Sequence, residues 1–180
     1  ASYKISHLNP NAKIVVAPSD HVILKEEAFI KAILKGLSFV DTNESLLTLG
    51  IQPRRPDTRY GYIQFIDDKQ QEENKISKVK TFTEKPNLEM ANFFLQTGEF
   101  LWNAGIFLWS VKSIQKALKE HLPEIDGLFH EAAAHFKTAD ENEFVRKAYE
   151  QCTNISIDFG VKKKAKNVFV MSAEFGWSDL

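Results

Sequence analysis

Ser19-Asp20-His21, Glu84-Lys85 and Ser178-Asp179 are three short polar groups, each close to an apolar run that reads as a strand. In open α/β sheets, ligands bind in the crevice at the carboxyl ends of the strands. Two aspartates brought there from distant parts of a chain suit Mg²⁺, which takes one or two carboxylates together with substrate phosphates. A lysine at a third strand end offers a point charge to a phosphate. Taken singly, each residue also reads as an ordinary turn or capping residue. Asn103 stands out for another reason. It is an amide inside the apolar run from Phe100 to Phe107, with Gly105 close by. A buried amide needs hydrogen-bond partners, and backbone groups or ligand hydroxyls would both serve.

The elements that must position these residues alternate in type. Lys13 to Ala17 is a short β-branched run, read as a buried strand that feeds the Pro18-Ser19-Asp20-His21 turn. Apolar residues at helical spacing from Lys25 to Val40 predict a helix, and Ser45 to Ile51 predicts a second buried strand. Strand, helix and strand over that length predict a βαβ unit and a parallel core sheet. After the arginine-rich loop from Gln52 to Arg59, extended patterns return at Tyr60 to Phe65 and Ile76 to Glu84. Pro86 predicts an extended Lys85 at the strand end and a helix over Leu88 to Thr97. Further helices are expected over Val111 to Glu120, Pro123 to Phe136 and Glu141 to Gln151, with a last strand at Val168 to Met171. With no internal repeat or low-complexity linker, the 180 residues predict one α/β layered domain.

Composition narrows the function classes. Hydrophobic residues make up 43% and charged residues 26%, the range of ordinary globular proteins. Twenty-three Lys and Arg against twenty-four acids give a net charge of −1, which offers no electrostatic reason to bind nucleic acid or an anionic membrane. The lone Cys152 fits a reducing cytosol, and no apolar run reaches the roughly 20 residues of a membrane span. The ends, Ala1-Ser2-Tyr3 and Gly176-Trp177-Ser178-Asp179-Leu180, read as cuts through a longer cytoplasmic protein.

Several signals fail on geometry or context. His130 and His135 are one residue too far apart for the zinc motif HExxH, and helical spacing turns them roughly 140° from one another. Lys162-Lys163-Lys164-Ala165-Lys166 reads as a solvated face. Cys152 lacks any activating pattern and reads as a buried small residue.

The chain resembles the sugar-1-phosphate nucleotidyltransferases, and within them the branch acting on mannose 1-phosphate. The resemblance rests on VVAPSDHVI (Val15 to Ile23), TLGIQPRRPDTRYGYIQ (Thr48 to Gln64), FTEKP (Phe82 to Pro86), LWNAGIFLW (Leu101 to Trp109), SIDFGVKK (Ser156 to Lys163) and FGWSDL (Phe175 to Leu180). These segments are collinear and span nearly the whole chain. The resemblance implies a Rossmann-like, three-layer nucleotidyltransferase domain (GT-A-like) with a mixed, mostly parallel sheet, truncated at both ends. It also implies transfer of GMP from GTP to mannose 1-phosphate, assisted by Mg²⁺. Asp20 and Asp179 would be the magnesium ligands, and Lys85 would hold the sugar phosphate. The Gly61 backbone, Glu84 and Asn103 would hold sugar hydroxyls, with Asp158 nearby. Catalysis would then rest on Asp20, Lys85 and Asp179, with GTP and mannose 1-phosphate as small-molecule partners and homo-oligomerisation left open.

Three departures from the family pattern stand out. No GGxGxRLWP-type loop occurs in the 180 residues, Arg59 stands where a glycine is common, and Lys162-Lys163 replaces Met-Glu. Transfer from dTTP or UTP to another hexose phosphate, or non-catalytic binding of nucleotide sugars by a regulatory relative, are the alternatives.

Overall fold

The computed structural model describes residues 1–66 and 75–179. Leu180, the last residue of the FGWSDL segment, lies outside them. In chain order the elements are α1 (Ser2–Leu8), β1 (Lys13–Val16), β2 (His21–Ile23), α2 (Glu26–Thr42), β3 (Leu46–Ile51), β4 (Tyr62–Phe65) and β5 (Ile76–Thr83). They continue as α3 (Leu88–Thr97), β6 (Phe100–Ser110), α4 (Val111–His121), α5 (Pro123–Ala133), α6 (Glu141–Gln151), β7 (Val168–Ser172) and β8 (Trp177–Asp179). A π-helical turn spans Asp158–Lys162, between α6 and β7.

The eleven-residue β6 organises the sheet. Six described strands pair in the order β1-β6-β3-β7-β5-β4, and β4 pairs with β6 as well. β1 and β3 are both antiparallel to β6, one on each side of it. They therefore run in the same direction, as a β1-α2-β3 crossover requires, but β6 is inserted between them. Among the described strands only β3 and β7 pair in parallel. The sheet is mixed, as expected, yet the expected predominance of parallel pairs is not found. A strand-helix-strand pattern fixes the direction of its two strands and says nothing about a later strand inserted between them. β1 is also an edge strand rather than a buried one, with Val15 37% and Val16 42% exposed. β2 and β8 form a separate two-stranded ribbon.

Helices cover both faces, giving the expected three layers. α2 lays Ala32, Ile33, Leu37 and Val40 against Leu47, Leu49, Leu108 and Met171. On the opposite face α4 lays Ile114 and Ala117 against Leu46, Phe107, Trp109 and Val168, joined by Val161 of the π-helical turn. Full burial of an aliphatic side chain contributes about 1.5–3 kcal/mol, so these two interfaces dominate the stability. α3 closes one end of the sheet with Ala91 and Phe94 against Tyr62, Phe100 and Trp102. Its limits agree with the sequence: the Asn87 side chain accepts from Met90 N at 2.8 Å, and Gly98 terminates the helix at φ +70°. Pro86 precedes that cap instead of opening the helix.

Candidate active site

β4 is paired with β5 on one side and β6 on the other, and this double pairing assembles the site. Tyr62 lies opposite both Thr83 and Trp102. The next residue outward on each strand is Gly61, Glu84 or Asn103. The Asn103 backbone N–H donates to the Gly61 carbonyl at 2.8 Å. A Cβ placed on Gly61 would lie 3.7 Å from Asn103 Cβ, 3.7 Å from Glu84 Oε2 and 3.6 Å from the Thr83 carbonyl. Gly61 thus leaves its backbone open between an amide and a carboxylate. The structure brings together the three residues to which the resemblance gives the sugar hydroxyls.

The Asn103 side chain has partners at both ends of its amide. Its Oδ1 accepts from Thr48 Oγ1 at 3.3 Å and from Gly105 N at 3.3 Å. The Gly105 φ of +68° is a left-handed conformation that glycine adopts without strain, and it turns this N–H back toward the side chain. Asn103 Nδ2 donates to Asp158 Oδ1 at 3.2 Å. Asp158, the outlying candidate, is therefore in direct contact with the group. Thr48 shares its one hydroxyl proton with the Ile106 carbonyl at 3.2 Å, so the Gly105 N–H and the Asp158 carboxylate set the direction of the amide. Among the described contacts, one amide N–H of Asn103 and Oδ2 of Asp158 are left to meet a ligand. A neighbouring donor and acceptor of this kind suit a sugar hydroxyl, which both gives and takes a hydrogen bond.

Asp158 has a second partner, and it corrects the reading of the lysine run as a solvated face. Lys162 Nζ donates to Asp158 Oδ1 at 2.6 Å, and the lysine side chain is only 1% exposed. Its ammonium lies 4.0 Å from the Phe107 ring centroid and 4.7 Å from that of Phe82. Burial pulls the Lys162 pKa down to about 8, against the opposing pull of Asp158 and Glu84. Lys163, Lys164 and Lys166 are exposed, as the run predicts. The available signal was the four-residue spacing of Asp158 and Lys162 around Val161, which places both on one side of a helical turn.

Lys85 is exposed and sits immediately after Glu84. It is not extended, as the residue before a proline is expected to be, but bends back at φ +33°. A non-glycine residue in this region carries strain of order 1–2 kcal/mol. Its ammonium engages no described side chain, which leaves it available to an anion.

Asp20 and Asp179 are carried by the β2-β8 ribbon, where His21 pairs with Asp179. Asp20 is one residue out of register with Asp179, and both are exposed. Neither carboxylate takes a hydrogen bond or an ion pair from a described residue. Arg59 lies near enough to feel the Asp179 charge; in residue type, two exposed carboxylates together with substrate phosphates are the donors that Mg²⁺ takes. His21 beside them is already engaged, its Nδ1 accepting from Trp177 Nε1 at 3.1 Å. The Trp177 ring also packs against Tyr60, with centroids 5.1 Å apart. The ribbon is thereby tied to the residue preceding Gly61, so the carboxylate pair and the Gly61 group border one another.

The arginine-rich loop before β4 holds a cluster to which the sequence reading gave no role. Buried Asp57 accepts from Arg55 Nη2 at 2.8 Å, Arg59 Nη2 at 2.9 Å and Arg59 N at 2.9 Å. These bonds, Arg59 first, hold the Asp57 carboxyl well below the usual carboxylate range. Tyr62 Oη donates to the Asp57 carbonyl at 2.9 Å, which pins the loop to the start of β4. An aspartate with an arginine two residues to either side was the legible sign.

A family model described as nucleotidyl transferase matches residues 2–180. A mannose-1-phosphate guanylyltransferase of Escherichia coli is 33% identical over 98% of the chain, which covers 38% of that relative. Its counterpart in Sinorhizobium fredii is 36% identical over 94% of the chain and 33% of its own length. The chain thus spans about a third of the length of the curated relatives it matches. Among solved structures, a Thermus thermophilus protein described as mannose-1-phosphate geranyltransferase superposes with a TM-score of 0.83 at 27% identity, over 99% of this chain and 49% of that one. A UDP-glucose pyrophosphorylase superposes at 0.50 and 16% identity, over 97% of this chain and 51% of that one, and speaks to the fold alone. Because that family model covers residues 2–180, the chain belongs to the nucleotidyl transferases.

Proposed function

We propose that residues 1–180 form part of a single nucleotidyltransferase domain that makes GDP-mannose and pyrophosphate from GTP and mannose 1-phosphate. The observation that carries this reading is the convergence of Gly61, Glu84, Asn103 and Asp158 from four separate segments onto one set of donors and acceptors. Gly61 offers its backbone, Glu84 and Asp158 accept from hydroxyls, and Asn103 donates to one. Lys85, beside Glu84, meets the sugar phosphate. The phosphate oxygen attacks the α-phosphorus of GTP in line and pyrophosphate leaves, so the protein's contribution is positioning and charge stabilisation. Asp20 and Asp179 would hold Mg²⁺, which supplies neutralisation of phosphate charge when bound.

The test is a ³¹P NMR titration of mannose 1-phosphate with the 180-residue chain in the presence of Mg²⁺. The phosphate resonance should shift and broaden in the wild type, and both effects should weaken in Lys85→Ala and Asp179→Asn. A resonance indifferent to the protein would overturn the reading.

A further inference from the structure

We propose that Lys162 is a positioning residue for sugar recognition: by clamping Asp158 it fixes which way the Asn103 amide faces. This rests on the sugar reading of the Gly61 group given above. Asp158 Oδ1 accepts from both Lys162 Nζ, at 2.6 Å, and Asn103 Nδ2, at 3.2 Å. One carboxylate oxygen therefore joins a fully buried cation to the amide that lines the site. Lys162 touches no ligand position itself. Its ammonium lies over the Phe82 and Phe107 rings, and Val161 next to it packs with Ile114 and Ala117 of α4.

The physical role follows from the charges gathered there. Glu84 and Asp158 are two carboxylates serving one site, and like charges brought close in partial burial repel. Lys162 is attracted to both. With the ammonium in place Asp158 stays charged and still, and only the N–H side of the Asn103 amide can face it. Without the ammonium, Asp158 can swing toward water. The amide is then held only by Thr48 and Gly105, and the paired donor and acceptor offered to a hydroxyl come apart. The other lysines near the buried ammonium are Lys80 and Lys163, which line the adjoining surface cleft with Thr81.

The experiment uses the 180-residue chain and two readouts over pH 7 to 9.5. The first is the Asn103 side-chain amide signal in ¹⁵N-correlated NMR, assigned by its loss in Asn103→Ala. The second is calorimetric affinity for mannose 1-phosphate. The Asn103 signal should move with a midpoint near 8 in the wild type, with about tenfold weaker binding on the alkaline side. In Lys162→Met, which keeps the apolar stem, binding should be about tenfold weaker already at pH 7 and the Asn103 signal should not titrate. An Asn103 signal that is flat with pH in the wild type overturns the inference, even if the variant fails to fold. Equal affinity of wild type and variant, with normal sugar-phosphate binding, overturns it while leaving the proposed function standing. Absence of binding by the wild type overturns both.

Discussion

The backbone N–H of Asn103 donates to the carbonyl of Gly61 at 2.8 Å, joining the middle of β6 to the entrance of β4. That bond places a residue without a side chain directly beside an amide bonded to Asp158, Gly105 and Thr48. The distances around Gly61 are ordinary van der Waals spacings, so a methyl group there fits the fold. It would occupy the space a sugar needs. Gly61→Ala should therefore melt within a few degrees of the wild type while binding mannose 1-phosphate at least about tenfold more weakly. Thermal melts and calorimetry together check this, and unchanged affinity would remove Gly61 from the site.

Lys85 presents an unpartnered cation from a strained bend. Lys85→Gly relieves the positive φ and removes the charge together, so stability and binding should move in opposite directions. The variant should be as stable as the wild type or more so, by up to about 1 kcal/mol, with weaker binding of mannose 1-phosphate and unaltered binding of mannose. A loss of stability would mean that the bend is held by the lysine side chain.

Asp57 makes the arginine loop sensitive to acid. Its carboxyl is held far below the ordinary value of 3.8 by Arg59 and Arg55. The unfolded chain therefore binds this proton first as pH falls, so the stabilisation is present above about pH 4 and is lost progressively below it. Urea midpoints measured between pH 6 and 3 should fall more steeply for the wild type than for Asp57→Asn. The variant should be less stable at pH 6, since both arginines lose a charged acceptor.

Lys162 imposes a pH slope of its own at the alkaline end. Its pKa is lowered to about 8 from an ordinary 10.5, so between those values the unfolded chain binds more protons than the folded one. Stability from this group accordingly rises with pH across that window. Lys162→Met should lack that rise in urea midpoints measured from pH 8 to 10.

Much of this was legible in the sequence, and the misses have physical causes. The helix over Leu88 to Thr97 was read from its own residues, and the caps that bound it, Asn87 and Gly98, are local chemistry that survives without tertiary information. Gly61, Glu84 and Asn103 could be named because family motifs carry them, but their convergence depends on β4 pairing with two strands at once. β2 and β8 are three residues each, too short for a period to appear, and only their mutual pairing makes them strands. Lys162 was read from its lysine neighbours, whereas its burial is set by Phe82 and Phe107, both distant in sequence. Thr48 gave a faint signal, a lone hydroxyl in an otherwise apolar strand, and it proves to hold the Asn103 amide.

No glycine-rich run of the kind that cradles a triphosphate occurs in the 180 residues. In-line transfer depends on holding the α-phosphorus, and an ångström of misplacement can cost about a hundredfold. The chain by itself should therefore release no measurable pyrophosphate from GTP and mannose 1-phosphate, while still binding the sugar end. Turnover near that of a full-length relative would show that the nucleotide site lies within these residues.

Recognition of a mannosyl phosphate by the group formed by Gly61, Glu84, Asn103 and Asp158 is the claim on which the proposed function stands. Calorimetric titration of GDP-mannose into the wild-type chain and into Asn103→Ala, with Mg²⁺ present, addresses it most directly. One site per chain is expected, weakened about tenfold or more by the substitution and with the fold intact by circular dichroism. Identical isotherms for the two proteins, or none for the wild type, would contradict it.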